Sequence, residues 1–212
     1  MTPRRLVGSL SSTGRRDRLA FVISAVASPF LVLPVFLFIL AVHCTSSLRA
    51  AVYQSGVATA GMVAVPALYV LRGVRSGKVT DVHVQLREQR RGPFFAAIAG
   101  CGLAVLLLAA IGAEPPMILA AAAAVANGLL FLAVTLRWKI SMHPSTLTAC
   151  ALMAGRLVHP AWLLVLATLP LLLWARVRRG RHTWGQGAAA IALAAVVTEL
   201  FVESYLASGG VQ

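Results

Sequence analysis

The sequence predicts an all-α fold, a polytopic integral membrane bundle of about six to seven transmembrane helices. Hydrophobic residues make up 59% of the 212 residues, charged residues only 12%, and the mean hydropathy is +0.84. Soluble globular domains carry about 25% charged residues. The apolar residues are also gathered into runs that approach the roughly 20 residues needed to cross a bilayer. These observations exclude an ordinary soluble domain.

The apolar runs predict the helices in order. They cover Leu19–His43, Ala51–Leu71, Phe94–Ile111, Pro116–Leu136, Pro144–Leu157, Pro160–Ala175 and Gln186–Leu206. The first run is too long for a signal peptide, and His43 before Cys44 does not fit a lipoprotein cleavage site, so we expect a retained span. The fifth and sixth runs are short, and we expect them to tilt or to form an abbreviated hairpin turning at residues 158–160. Alanine runs such as Ala120–Ala124 allow close helix packing.

The charge distribution predicts the domain organisation and the orientation. Residues 1–18 form a basic tail, and residues 19–212 form one helical domain. Of the 19 Lys and Arg residues, 17 lie in the tail or in loops on the same side, and only Arg49 and Arg156 lie on the other. The positive-inside rule then predicts that the amino terminus and these loops face the cytoplasm of a bacterial cell.

The net charge of +13 would indicate nucleic-acid binding in a soluble protein. Here the charge sits in short loops beside apolar runs, where membrane orientation and anionic lipid head groups explain it, so we expect no nucleic-acid partner. The three cysteines, Cys44, Cys101 and Cys150, show no paired or metal-like spacing and are expected to be small apolar helix residues.

Three polar loops fall on this predicted side of the membrane. The last loop, residues 174–186, places four arginines and a histidine between two apolar runs, which indicates an anion-binding site. Its spacing is Arg176, five residues, His182, three residues and Gln186. The middle loop carries Lys139, Ser141 and His143. The first loop carries Arg87 and Arg90, which at i and i+3 would share a helix face and grip one phosphate.

The last two loops resemble signature motifs of the type 2 phosphatidic acid phosphatase superfamily. The family's third motif is Ser-Arg, five residues, His, three residues, Asp. Arg176 and His182 match it, whereas Ala175 and Gln186 replace its serine and aspartate. The central motif, Pro-Ser-Gly-His, matches at Ser141 and His143, with Ile140 and Met142 in the other two positions.

The first loop is the poorest match, and the resemblance covers roughly residues 78–190. The family motif there is Lys, six residues, Arg-Pro. In this chain Gly92 separates Arg91 from Pro93, and His83 rather than lysine stands seven residues before Arg90.

The resemblance implies a metal-independent membrane phosphatase without a cofactor, acting on a lipid or isoprenoid phosphate or diphosphate. His182 would attack phosphorus and form a phosphohistidine, and His143 would protonate the departing alcohol. The phosphoryl oxygens would be held by Lys139, Ser141, Arg176, Arg87 and Arg90. In the family the aspartate of the third motif orients the nucleophile. Gln186 can accept a hydrogen bond but supplies no charge, so Asp81 would have to assist or turnover would be slow.

Two alternatives stay open at this point. A non-catalytic descendant would bind anionic lipid head groups or a membrane partner. A small transporter or assembly subunit would carry the motifs by accident, although the spans show neither an internal repeat nor charges apart from Glu199 and Glu203. The sequence names neither the lipid nor the oligomeric state.

Overall fold

The computed structural model describes residues 14–80, 84 and 86–210, with the backbone alone at 87 and 88. All regular structure in these residues is helical, which confirms the all-α membrane bundle. The helices are α1 (Arg15–Val26), α2 (Pro29–Cys44), α3 (Leu48–Arg75), α4 (Arg91–Ala110), α5 (Pro115–Thr135), α6 (Met142–Leu157), α7 (Pro160–Arg178) and α8 (Trp184–Ala207), and a 3-10 turn covers Arg87–Arg90.

Within the described ranges, five helices are each long and apolar enough to cross a membrane, namely α3, α4, α5, α7 and α8. The first apolar run, predicted as one span, is instead two helices bent by 42° between α1 and α2. Pro29 is the first residue of α2 and has no N–H to donate to the preceding turn, which breaks the helix at this point. Counted as one broken span, the pair is the sixth.

Helix α6 is short, with 16 residues, and lies in the middle of the bundle. It packs against α2, α7 and α8, and its buried residues include Ser145 and Thr148. The chain turns at Val158 and His159, where the imidazole Nδ1 of His159 accepts the N–H of Ala161 at 3.2 Å. Because neighbours enclose α6 on several sides, side chains at its amino terminus lie inside the bundle rather than against lipid.

The bundle is packed differently in its two halves. The half that contains the carboxyl ends of α6 and α8 holds a close-packed apolar core with Leu37, Leu108, Met117 and Val202. At the same end Arg156 of α6 forms salt bridges with Glu199, at 3.2 Å, and Glu203 of α8. The other half contains the carboxyl ends of α3, α5 and α7, and it encloses a cavity.

Candidate active site

Arg90 joins the first polar loop to the middle one. Its Nε donates to the carbonyl oxygen of Val84 at 2.9 Å, and its NH1 donates to the carbonyl oxygen of Ile140 at 3.0 Å. Val84 has a φ of 46°, an uncommon conformation for a β-branched residue. These two hydrogen bonds hold the buried guanidinium of Arg90 beside the start of α6.

The chain reverses after α7 through a Schellman motif. The N–H of Gly180 donates to Val177 O at 2.9 Å and the N–H of Arg181 donates to Arg176 O at 3.0 Å. Gly180 has a φ of 61°, which side chains other than glycine and asparagine rarely adopt. The reversal returns His182 to the level of Arg176, the last buried arginine of α7.

Helix α8 then begins with a capping box. Thr183 Oγ1 accepts the N–H of Gln186 at 3.3 Å, while Gln186 Oε1 accepts the N–H of Thr183 at 3.2 Å. The same Oε1 lies 3.2 Å from Nδ1 of His182. Because the Thr183 N–H fixes the amide oxygen as an acceptor, Nδ1 of His182 must be the protonated nitrogen. Its Nε2 therefore keeps an unprotonated lone pair.

The middle loop places His143 against the last loop. Arg176 NH1 lies 3.5 Å from Nε2 of His143. A guanidinium only donates, so this Nε2 is the acceptor in the contact. Ser141 occupies the N-cap of α6 and is fully buried, and within the described part of the chain its hydroxyl has no hydrogen-bond partner.

Positive charge surrounds His182. Burial lowers the pKa of His182 to about 3, and the charges of Arg90, Arg176 and Lys139 act in the same direction, while the contact with Gln186 opposes them. The imidazole is therefore neutral at physiological pH. The unprotonated Nε2 of the neutral imidazole has a lone pair available for nucleophilic attack. The three surrounding cations would attract an anionic group toward it.

Two buried guanidinium nitrogens in the last loop lack partners among the described residues. Arg176 Nε and Arg181 NH1 are buried, and no described residue accepts from either atom. A buried donor without an acceptor is unfavourable by about 1–3 kcal/mol, more when it is charged. Arg176 lines the cavity, so its Nε donor is available to an anionic ligand there, whereas Arg181 is not part of the cavity lining.

A cavity of about 590 Å³ connects this cluster with the membrane region. Its polar end is lined by Arg90, His143, Arg176 and His182. Most of the remaining lining consists of apolar side chains of α2, α3, α4, α5 and α6. Phe30 and Leu71 also line it, and they are 53% and 43% exposed on the outside of the bundle. The cavity thus opens toward lipid and ends inside at the basic cluster.

The predicted site residues fall into three groups. The structure brings together Arg90, His143, Arg176, His182, Lys139 and Gln186. Ser141 lies at the start of α6 but is not part of the cavity lining. The side chain of Arg87 and all of Asp81 lie outside the described residues, so the paired grip of Arg87 and Arg90 and the assistance from Asp81 stay predictions.

Sequence reasoning missed several contributors. Gly180 and the Thr183–Gln186 capping box carry readable signals, namely a glycine just past a helix and a threonine three residues before glutamine. The burial of Arg181 NH1 and the carbonyl of Val84 carry no such signal, because both depend on the fold of the loops.

No family model, curated protein or solved structure matches this chain. The resemblance to the phosphatase superfamily therefore rests on the motif residues themselves.

Proposed function

We propose that this protein is an integral membrane phosphatase that hydrolyses a lipid or isoprenoid phosphate or diphosphate through a phosphohistidine on His182. The observation that carries the proposal is the neutral imidazole held among Arg90, Arg176 and Lys139 at the inner end of an apolar cavity. The cations match a phosphate head group, and the apolar lining matches a hydrocarbon tail.

In the first step the Nε2 lone pair of His182 attacks the terminal phosphorus, and the P–N bond forms as the bond to the leaving oxygen breaks. The leaving group is an alcohol in a monoester and the remaining lipid phosphate in a diphosphate. Arg176, with its buried Nε donor, holds the equatorial oxygens, and Arg90 and Lys139 supply further positive charge. Gln186 keeps the attacking nitrogen unprotonated by accepting from Nδ1. These contributions need no metal ion.

His143 completes the reaction as the acid and then the base. Phosphate binding satisfies Arg176 and adds negative charge, which favours a proton on His143. His143 gives that proton to the departing oxygen. It then takes a proton from water as the water oxygen attacks phosphorus, the P–N bond breaks, and inorganic phosphate leaves.

Gln186 limits the rate in this scheme. The phosphorylated imidazole carries a positive charge, and the neutral amide stabilises that charge less than a carboxylate would. In a serine protease triad, exchange of the aspartate for its amide lowers the rate by about 10⁴, partly through the wrong tautomer. Here the capping box selects the correct tautomer, so the rate is reduced only because Gln186 lacks a negative charge.

The orientation belongs to the same proposal. Most of the basic residues lie at the site end, so we place that end in the cytoplasm of a bacterial cell, where anionic lipid attracts the cationic loops.

The test is inorganic phosphate release by the purified protein from a panel of lipid and isoprenoid phosphates. We expect release without added divalent metal and in the presence of a chelator, and at least about a thousandfold loss in His182→Ala. The matched control is His43→Ala, which removes an exposed histidine from the end of α2. Activity that disappears with the chelator, or that survives in His182→Ala, contradicts the mechanism.

A non-catalytic head-group receptor is the second candidate. The capping box favours it, because Gln186 has a structural reason to be present that does not involve catalysis. A receptor would bind vesicles containing phosphatidic acid without releasing phosphate, and Arg176→Ala would weaken that binding while His182→Ala would not.

A further inference from the structure

We propose that Met62 and Met153 form the floor of the cavity and set the length of hydrocarbon chain that the site accepts, about 15 Å below the head group. This proposal rests on the proposed function, because it identifies the apolar part of the same substrate. The occupant to which it commits is a single hydrocarbon chain of a phosphate ester.

The depth follows from helix geometry. His143 at the polar end and Met153 at the apolar end both line the cavity and lie ten residues apart on α6. At 1.5 Å per residue the two levels are about 15 Å apart. Leu71 and Met62 on α3, nine residues apart, give nearly the same depth. This depth is about half of the roughly 30 Å hydrocarbon thickness of a bilayer.

The floor is closed by well-packed side chains. Met62 is 5% exposed and Met153 is 3% exposed, and both belong to the apolar core of the opposite half of the bundle. Leu40 and Met117 lie in that core, are fully buried and do not line the cavity. Close-packed interiors have little free volume, so a chain cannot extend past the floor without displacing these side chains.

The backbone closes the cavity at the same level. Gly61 of α3 and Gly100 of α4 face each other so closely that a Cβ on Gly61 would lie 2.6 Å from Gly100 O. These residues directly precede Met62 and Cys101, both of which line the cavity. Helices α3 and α4 therefore meet through their backbones beside Met62. The five-residue π-helical turn Ala60–Ala64 lies in this contact.

Chain length should therefore act in two regimes. Relative to the bilayer or micelle that the ligand leaves, each methylene placed between the head group and the floor strengthens binding through its packing contacts with the cavity lining. A longer chain must leave through the opening at Phe30 and Leu71, where the added methylenes exchange one apolar surrounding for another and gain nothing. Affinity should rise with chain length and then reach a plateau.

The experiment measures this plateau with unbranched alkyl phosphates from octyl to octadecyl phosphate. Pairwise competition for the His182→Ala protein, read by native mass spectrometry, gives relative binding without turnover, and phosphate release from the active protein gives kcat/KM. Met153→Ala and Met62→Ala each remove three heavy atoms from the floor. We expect each to move the plateau to longer chains and to raise the long-to-short preference about tenfold.

Met117→Ala is the matched control, because it makes the same deletion in the closed core. It should lose stability to a similar extent and leave the plateau unchanged. If one floor variant fails to fold, the other carries the test. A plateau that is absent in the wild type, or that is unmoved in the folded floor variants, overturns the proposal. Binding with a movable plateau but without phosphate release overturns the phosphatase function and leaves the floor assignment standing.

Discussion

Gln186 caps α8 and also selects the tautomer of His182. Gln186 Oε1 accepts from the backbone N–H of Thr183, and the same atom faces the Nδ1 of His182. The first contact fixes the amide orientation and thereby the tautomer of the imidazole. The second contact favours the protonated imidazole only weakly, so burial and the neighbouring cations lower the pKa of His182 to about 3.

Gln186→Glu should increase turnover. The change keeps the side-chain length and the capping box, and a carboxylate within about 4–6 Å raises the pKa of a histidine by about 1–3 units. A rise of that size from about 3 leaves Nε2 unprotonated near pH 7, so the nucleophile survives while the phosphorylated cation is stabilised. We expect kcat to increase about tenfold, which corresponds to about 1.4 kcal/mol.

Selectively labelled histidine NMR provides the direct measurement. His182 of the wild type should stay neutral down to about pH 5, whereas an unperturbed histidine titrates near pH 6.5. In Gln186→Glu the titration should move to higher pH. Gln186→Met, which cannot accept from Nδ1, serves as the opposite control and should be slower than the wild type. Equal rates in all three proteins would show that residue 186 acts only as a helix cap.

At the scale of the element, the α7–α8 connection sets the geometry of the site. Helix α7 supplies Arg176, and the Schellman motif at Gly180 reverses the chain. The capping box of Thr183 and Gln186 then begins α8. Helix α1 packs against the outside of this connection, with Asp17 bound to Arg178 at 2.9 Å and Phe21 lying 5.0 Å from the guanidinium of Arg179. The ion pair is exposed, so it contributes at most about 1 kcal/mol.

Gly180→Ala should lower activity more than a substitution elsewhere that lowers the stability by the same amount. The left-handed conformation is unfavourable by about 1–2 kcal/mol for a residue with a Cβ, and relaxation of the turn would move Arg176 relative to His182. Gly209→Ala is the matched control, since its φ is also positive, at 85°, and an added Cβ meets nothing at either glycine.

Thermal unfolding and kcat measured on the same preparations separate the two effects. Both alanine variants should unfold at similarly reduced temperatures, but only Gly180→Ala should lose kcat, by about tenfold or more. Gly180→Asn should recover much of the loss, because asparagine tolerates the left-handed region. Equal kcat in the two alanine variants would mean that the turn does not position the site.

The sequence predicted the features that depend on neighbouring residues in the chain and missed those that depend on contacts between distant residues. Hydropathy predicted the spans because burial in lipid acts on each helix separately. It missed the break before Pro29 because the apolar run continues through it. The contact of Arg90 with the carbonyl oxygens of Val84 and Ile140 was not predictable, since any residue has a carbonyl. The cavity was equally hidden, because its volume depends on how five helices pack around it.

At the scale of the whole molecule, one end of the bundle differs from the other in charge and in packing. The site end gathers the cationic loops and the cavity, and the opposite end holds the close-packed core and the bridge from Arg156 to Glu199. In the proposed function, a cavity that opens through the side of the bundle near one end would receive its substrate from the adjacent leaflet. The orientation of the chain would then decide which leaflet supplies it.

The orientation should place the site end in the cytoplasm. Two exposed serines report on the two ends, Ser76 after α3 at the site end and Ser46 between α2 and α3 at the other. In a Cys44→Ala background, where Cys101 and Cys150 are buried, we expect a membrane-impermeant maleimide to label Ser46→Cys in intact cells. Ser76→Cys should react only after the cells are permeabilised, since loops rich in Lys and Arg are retained inside. Labelling of Ser76→Cys in intact cells would place the site outside the cell. The arginines of the site would then serve to bind anions and would not follow the positive-inside rule.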